Sequence, residues 1–272
     1  MEYEIKPAKG LQFNLKELWE FRELIYFFTL RDVKIKYKQT VLGALWAILQ
    51  PFLLMVIFTV FFAGHLDISS YNLPYPVFVF SGLILWNVFA TGISTAGNSM
   101  IVNSNIIKKI YFPRLIIPIS GILSTLIDFG ITLIIFIGVL IYYLPFFSIV
   151  NLLFSISLSL TIILLTTFGV GSLLAALNVK YRDFRYIIPF TIQVLLFISP
   201  VIYPVSIIKN NLLVKILNLN PIAGAIEILR SSITGSEINI MILTKSFFIS
   251  LALFFIGISY FRKTEYYFAD IA

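Results

Sequence analysis

The stretch LIIPISGILSTLIDFGITLIIFIGVLIYYL, Leu115–Leu144, carries one charged side chain, Asp128, in a run long enough to cross a bilayer. About 20 apolar residues suffice for a helix to span roughly 30 Å of hydrocarbon. The rest of the chain agrees with lipid as its main solvent. Of 272 residues 59% are hydrophobic and only 12% charged, with a mean hydropathy of +0.97. A soluble domain carries about 25% charged residues. The sequence is read as an all-α integral membrane protein forming a single domain over 1–272.

Working outward, the pattern predicts six membrane spans at 41–64, 74–96, 115–144, 151–177, 187–204 and 238–261. Pro51 lies inside the first and is expected to kink it rather than end it. The fifth is punctuated by Pro189, Pro200 and Pro204, and 205–237 is mixed, with apolar pieces too short or too polar to span. All but four of the 20 basic residues (Lys209, Lys215, Arg230 and Lys245) fall in the N-terminal region, the connections 97–114 and 178–186, or the C-terminal tail. The positive-inside rule then places both termini and these two connections in the cytoplasm. Lys245 is expected to snorkel to the interface.

Residues 1–13 read as a loose polar tail, without the apolar core and cleavage site of a secretory signal. Asn14 with Glu17 has capping-box spacing, and 14–38 reads as an amphipathic helix. Leu18, Phe21, Leu24, Ile25 and Phe28 form its apolar stripe, and the basic run Arg31, Lys34, Lys36, Lys38 follows. Such a helix lies in the headgroup plane or packs on protein.

The inventory excludes several chemistries. There is no cysteine, and His65 is the single histidine, so no thiolate or multi-histidine metal site is available. No Gly-x-x-x-x-Gly-Lys motif is present to cradle nucleotide phosphates. The acids are scattered, which argues against a membrane-embedded glycan-synthesis enzyme. The net charge of +7 lies beside apolar runs rather than in a basic domain, which argues against nucleic acid. Asp128 has two readings: an intramembrane functional acid, or a buried, protonated carboxyl bonded to a serine or threonine of a neighbouring helix.

Two aromatic sets could line a pathway. Trp46, Gln50, Phe58, Phe61 and Phe62 populate the first span; Phe190, Phe197 and Tyr203, with Gln193 adjoining, populate the fifth. Rings pack on the C–H faces of sugars and amides meet their hydroxyls, while helix–helix packing is the plain alternative. In 103–114, Ile106, Ile107 and Ile110 form a stripe with Lys108, Lys109 and Arg114 projecting elsewhere. That pattern suits a helix lodged in a partner's groove or a solvated loop.

The block LRDVKIKYKQTVLGALWAILQP, Leu30–Pro51, closely resembles the ABC-2 transporter permeases, and within them the exporters of O-antigen, capsule and teichoic acid. The likeness continues through Ser81-Gly82-Leu83 to Trp86, Ile107–Arg114, Leu177–Asp183, Ser199–Pro204 and Leu219-Asn220-Pro221. It implies a homodimer in the bacterial inner membrane that exports polyprenyl-diphosphate-linked polysaccharide. Two copies of a separate ATP-binding subunit would hold ATP and magnesium, this chain having no cofactor and no enzymatic activity of its own. It further implies a coupling helix over Asn103–Phe112, with Asn103, Ile106, Ile107, Lys108, Lys109 and Tyr111, and a second cytoplasmic contact at Arg182 and Asp183. An N-terminal interface helix and short re-entrant gate helices within Ser199–Leu229 complete the implied architecture. Arg31, Lys34, Lys36 and Lys38 are candidates for attracting the carrier diphosphate, with topology and anionic lipid as competing uses. A drug or simple-lipid exporter of the same superfamily is the alternative function.

Overall fold

Helix accounts for nearly every element of the chain in its computed structural model, which describes residues 15–38, 45–64, 73–144, 146–265 and 268. The 1–13 tail, the Asn14 cap, residues 41–44 of the first span, His65 and Pro145 lie outside the described residues. In order the helices are α1 (Leu15–Glu20), α2 (Arg22–Tyr37), α3 (Leu45–Phe62), α4 (Tyr75–Val102) and α5 (Ser104–Ile107). Then follow α6 (Ile116–Tyr143), α7 (Ile149–Lys180), α8 (Phe184–Ile198), α9 (Asn211–Leu217), α10 (Pro221–Thr234) and α11 (Ile240–Glu265). There is no strand among the described residues. Among the described residues five helices, α3, α4, α6, α7 and α11, are long and apolar enough to cross a membrane, or six if α9 and α10 form one bent span, and the chain is a multi-pass membrane protein.

Several boundaries differ from the sequence reading for local reasons. α4 runs past Ala96 to Val102, through residues that read as a polar connection. Their side chains turn back into the helix: Asn98 Nδ2 donates to the Ser94 carbonyl (2.8 Å) and Ser99 Oγ to that of Ala96 (2.6 Å). Polar side chains satisfied on their own helix do not stop it. The 14–38 helix is broken at Phe21 into α1 and α2. The fifth span is shorter than the expected 187–204: α8 has 15 residues, running through Pro189 and ending before Ser199. That is about 22 Å of helix, so α8 alone falls short of the roughly 30 Å core.

The mixed stretch 205–237 resolves into a 3-10 turn at Val205–Ile207, then α9 and α10, which are bent 88° to each other. Each helix start has a named cause. Asn210 accepts from the Leu212 N–H (2.9 Å) and Asn220 from that of Ile222 (3.0 Å). Pro221 occupies the first position of α10, where its missing N–H costs nothing. α10 ends at Gly235, whose φ of 71° is the left-handed conformation glycine adopts freely.

α4 is the most enclosed spanning helix and packs against α3, α6, α7, α8 and α10. α7 and α11 cross where Gly169 meets Gly257; a Cβ built on Gly257 would lie 1.8 Å from the Gly169 carbonyl oxygen. Small residues allow this backbone approach where lipid supplies no hydrophobic drive between helices. Two apolar clusters result. The larger joins α4 to α6, α7 and α10. The smaller gathers Phe28, Met100, Ile107, Phe112, Leu115, Val179 and Phe261. It draws the ends of α2, α4, α6, α7 and α11 together, and these are the ends that carry the basic connections.

Candidate functional site

The stripe Leu18, Phe21, Leu24, Ile25 and Phe28 packs on protein: Phe28 is buried and the others sit against the smaller cluster. A second apolar set, Trp19, Tyr26, Phe27 and Ile35, is left exposed. From the Phe28–Phe112 ring contact, with centroids 5.7 Å apart, α2 continues alongside α6 until its last turn reaches Asp128. The Lys36 ammonium forms an ion pair with the Asp128 carboxylate, and the Tyr37 phenol donates a hydrogen bond to the same group. The partners of the Asp128 carboxylate are thus a lysine and a tyrosine of α2, not a serine or threonine of a neighbouring helix. Its side chain is 15% exposed and that of Lys36 45%. Burial pushes the Tyr37 phenol above its ordinary pKa, and the hydrogen bond and negative charge of Asp128 act in the same direction.

This junction forms one wall of a cavity of about 460 Å³ between α2, α3, α4 and α6. Trp46 and Gln50 reach it from α3, Asn87 and Thr91 from α4, and Phe129 and Thr132 from α6. Thr132 Oγ1 also donates to the Ala47 carbonyl (3.3 Å), tying α3 to α6. Of the first-span pathway candidates, Trp46 and Gln50 line the cavity, Phe58 is half-buried, and Phe61 and Phe62 are exposed farther along α3. Phe190, Gln193 and Phe197 are exposed on α8, and Tyr203 is half-buried, its hydroxyl donating to Ile198 (2.8 Å). α3 packs on α4 and α6 whereas α8 packs on α4 and α7, and of the two sets Phe58 and Tyr203 both pack against the larger apolar cluster.

The basic residues of α2 divide in two. Arg31 is committed to Asp32 (2.7 Å) and to the face of Phe28 (4.7 Å), and Lys36 to Asp128. Lys34 and Lys38 are exposed. The 103–114 segment divides as well. Asn103 is buried and bonds back to Ser99 (2.8 Å), Ile107 is buried and Ile106 partly so. Lys108, Lys109, Ile110 and Tyr111 are exposed, as are Arg182 and Asp183.

Arg230 is the residue that sequence reading missed, having counted it only as a stray cation. It is fully buried in α10. Its guanidinium donates to the carbonyls of Pro200 (2.8 Å), Val201 (2.7 Å) and Phe78 (3.0 Å), and lies 3.5 Å from the Phe78 ring centroid. Gly82 makes room, since a Cβ there would approach the Val201 oxygen to 2.8 Å and Arg230 Nη2 to 3.0 Å. Tyr75 Oη to Ile202 (3.0 Å) and Asn220 Nδ2 to Ser199 Oγ (2.8 Å) complete the stitching of 199–204 onto α4 and α10. The signal in the sequence is an arginine in the third turn of an apolar helix that opens with an Asn-Pro cap. Asn87 is similar, an amide in the middle of a span.

The pattern describing the ABC-2 type transporter matches residues 23–234, most of the chain. The chain belongs to that family. As an ABC-2 type transporter it is a transport subunit that works with an ATP-binding subunit. It is 28% identical to the O-antigen export system permease protein RfbA of Klebsiella pneumoniae over 96% of this chain and 98% of that protein. With RfbA of Myxococcus xanthus it shares 28% over 72% of this chain and 74% of the other. It is 23% identical to the polysialic acid transport protein KpsM of Escherichia coli, over 87% and 91%.

Proposed function

We propose that this ABC-2 permease exports polyprenyl-diphosphate-linked polysaccharide, of the O-antigen kind, across a bacterial inner membrane, driven by ATP hydrolysis in a separate subunit. The observation that carries this reading is the end-to-end similarity to O-antigen export permeases. The chain works as a homodimer with two ATP-binding subunits and with both termini in the cytoplasm. The gathering of the basic connections at one end of the bundle supports that orientation. Exposed aromatic side chains on α3 and α8 suit a pathway closed between two copies. Lys108, Lys109, Tyr111, Arg182 and Asp183 face the ATP-binding subunits, α1 and α2 serve as the interface helix through Trp19, Tyr26 and Phe27, and α9 with α10 forms the outer gate. Lys34 and Lys38, both exposed, attract the carrier diphosphate.

Depletion of the protein tests the reading directly. Lipid extracts should accumulate a polyprenyl-linked glycan while surface polysaccharide falls. Normal surface glycan with no internal build-up, in cells lacking a second exporter, would overturn it.

A further inference from the structure

The cavity beside Asp128 offers more hydrogen-bonding capacity than the fold uses. Its volume of about 460 Å³ lies within the roughly 300–1,000 Å³ of small-ligand pockets, which are mostly apolar with a few convergent polar groups. The side chains of Trp46, Gln50 and Asn87 line it and make no hydrogen bond among the described residues. Thr91, Thr125 and Thr132 each donate to a carbonyl of their own helix, on Asn87, Ile122 and Asp128 respectively. A hydroxyl that donates still has acceptor lone pairs, so these three can accept from a ligand while the amides and indole donate to it.

Charge decides the ligand class. Lys36 and Asp128 are the charged groups on the cavity wall, and they are paired with each other. A diphosphate entering here would have to separate the pair and then sit against a carboxylate, where like charges repel. A neutral ring carrying several hydroxyls and an apolar face meets no such penalty. It can stack on the Trp46 or Phe129 ring while its hydroxyls engage Gln50, Asn87 and the threonines.

Building on the export reading above, we infer that this cavity is a pyranose-binding site contained within one subunit, taking a single neutral sugar ring of the exported glycan. The carrier diphosphate is excluded from it and remains outside, near the exposed lysines of α2.

The absence of cysteine makes the test direct. Ala47→Cys places one thiol on the cavity wall, and Tyr142→Cys places one on the exposed end of α6. Each variant is expressed with its ATP-binding subunit, and labelling by N-ethylmaleimide is timed in inside-out membrane vesicles. The probes are a neutral oligosaccharide released from the cells' own surface polysaccharide and inorganic pyrophosphate. The oligosaccharide is expected to slow labelling several-fold in the Ala47→Cys variant and not at all in Tyr142→Cys, with pyrophosphate inert in both. Protection by pyrophosphate, or by neither probe in cells whose surface glycan still depends on this chain, would overturn the site. A surface glycan independent of the chain would instead overturn the export reading.

Discussion

Lys36 on α2 and Asp128 on α6, 92 positions apart in sequence, are joined in an ion pair that fastens the N-terminal helices to a spanning helix. The pair lies roughly 18 Å into α6 at a helical rise of about 1.5 Å per residue. With Phe28 on Phe112 it gives α2 two attachment points on the bundle.

Removing one partner should cost more than removing both. Exposed pairs contribute about 0.2–1 kcal/mol, and breaking a buried pair costs about 3–5 kcal/mol. With one partner enclosed and the other half-exposed, a coupling of about 1–2 kcal/mol is expected between the limits for exposed and buried pairs. Thermal unfolding of Lys36→Gln, Asp128→Asn and the double variant in detergent measures it, and strictly additive losses would contradict the pairing.

The raised Tyr37 phenol gives the same junction a pH dependence. The folded state favours the neutral phenol, whereas the unfolded phenol ionises near its ordinary pKa of about 10. The contribution is therefore complete below pH of about 10 and is lost as pH rises towards the folded value. The stability advantage of the parent over Tyr37→Phe should be flat from neutrality to about pH 9 and shrink above about pH 10. An advantage that grew with alkalinity would contradict the assignment.

These two residues show why the fold was more legible than the site. Apolar run length and loop charge located α3, α4, α6, α7 and α11, because lipid imposes both on the sequence. The stripe on α1 and α2 was legible as a pattern but not its destination, since packing on protein and lying on lipid require the same periodicity. Asp128 was conspicuous as the one acid in its span. Its partners were not, because a contact made across 92 positions leaves no local spacing to read. Arg230 was obscured by arithmetic: counted among loop charges, it looked like topology rather than a buried clamp.

Arg230→Ala would leave the carbonyls of Phe78, Pro200 and Val201 without their shared donor. Each orphaned buried acceptor costs about 1–3 kcal/mol, so the 199–204 turn should detach from α4. Arg230→Lys should rescue poorly, because one ammonium lacks the planar fork that serves these acceptors while lying flat on Phe78. Thiol labelling of Val201→Cys reports the detachment. It should be slow in the parent background, where Val201 is fully buried, and at least tenfold faster with either arginine substitution. Equal rates with Arg230→Lys would show that charge alone suffices.

The 103–114 segment makes opposite demands on its two faces, and substitution can separate them. Asn103 and Ile107 point inward, the first onto Ser99 and the second into the cluster around Phe28 and Phe112. Asn103→Ala and Ile107→Ala should therefore lower thermal stability, Ile107→Ala by about 2–5 kcal/mol for a buried aliphatic truncation. Ile110 and Tyr111 are 63% and 68% exposed, so Ile110→Ala and Tyr111→Ala should leave stability within about 0.5 kcal/mol of the parent. If this surface carries the ATP-binding subunit, an aromatic anchor is the side chain whose loss should matter most. A cost of about 2 kcal/mol corresponds to more than a tenfold weaker association. Titrating the purified permease with its ATP-binding subunit in detergent measures that step separately from folding. Weakened association for Tyr111→Ala at unchanged melting temperature would identify the exposed face as the contact. Unchanged association for both outward variants would move the contact to Arg182 and Asp183.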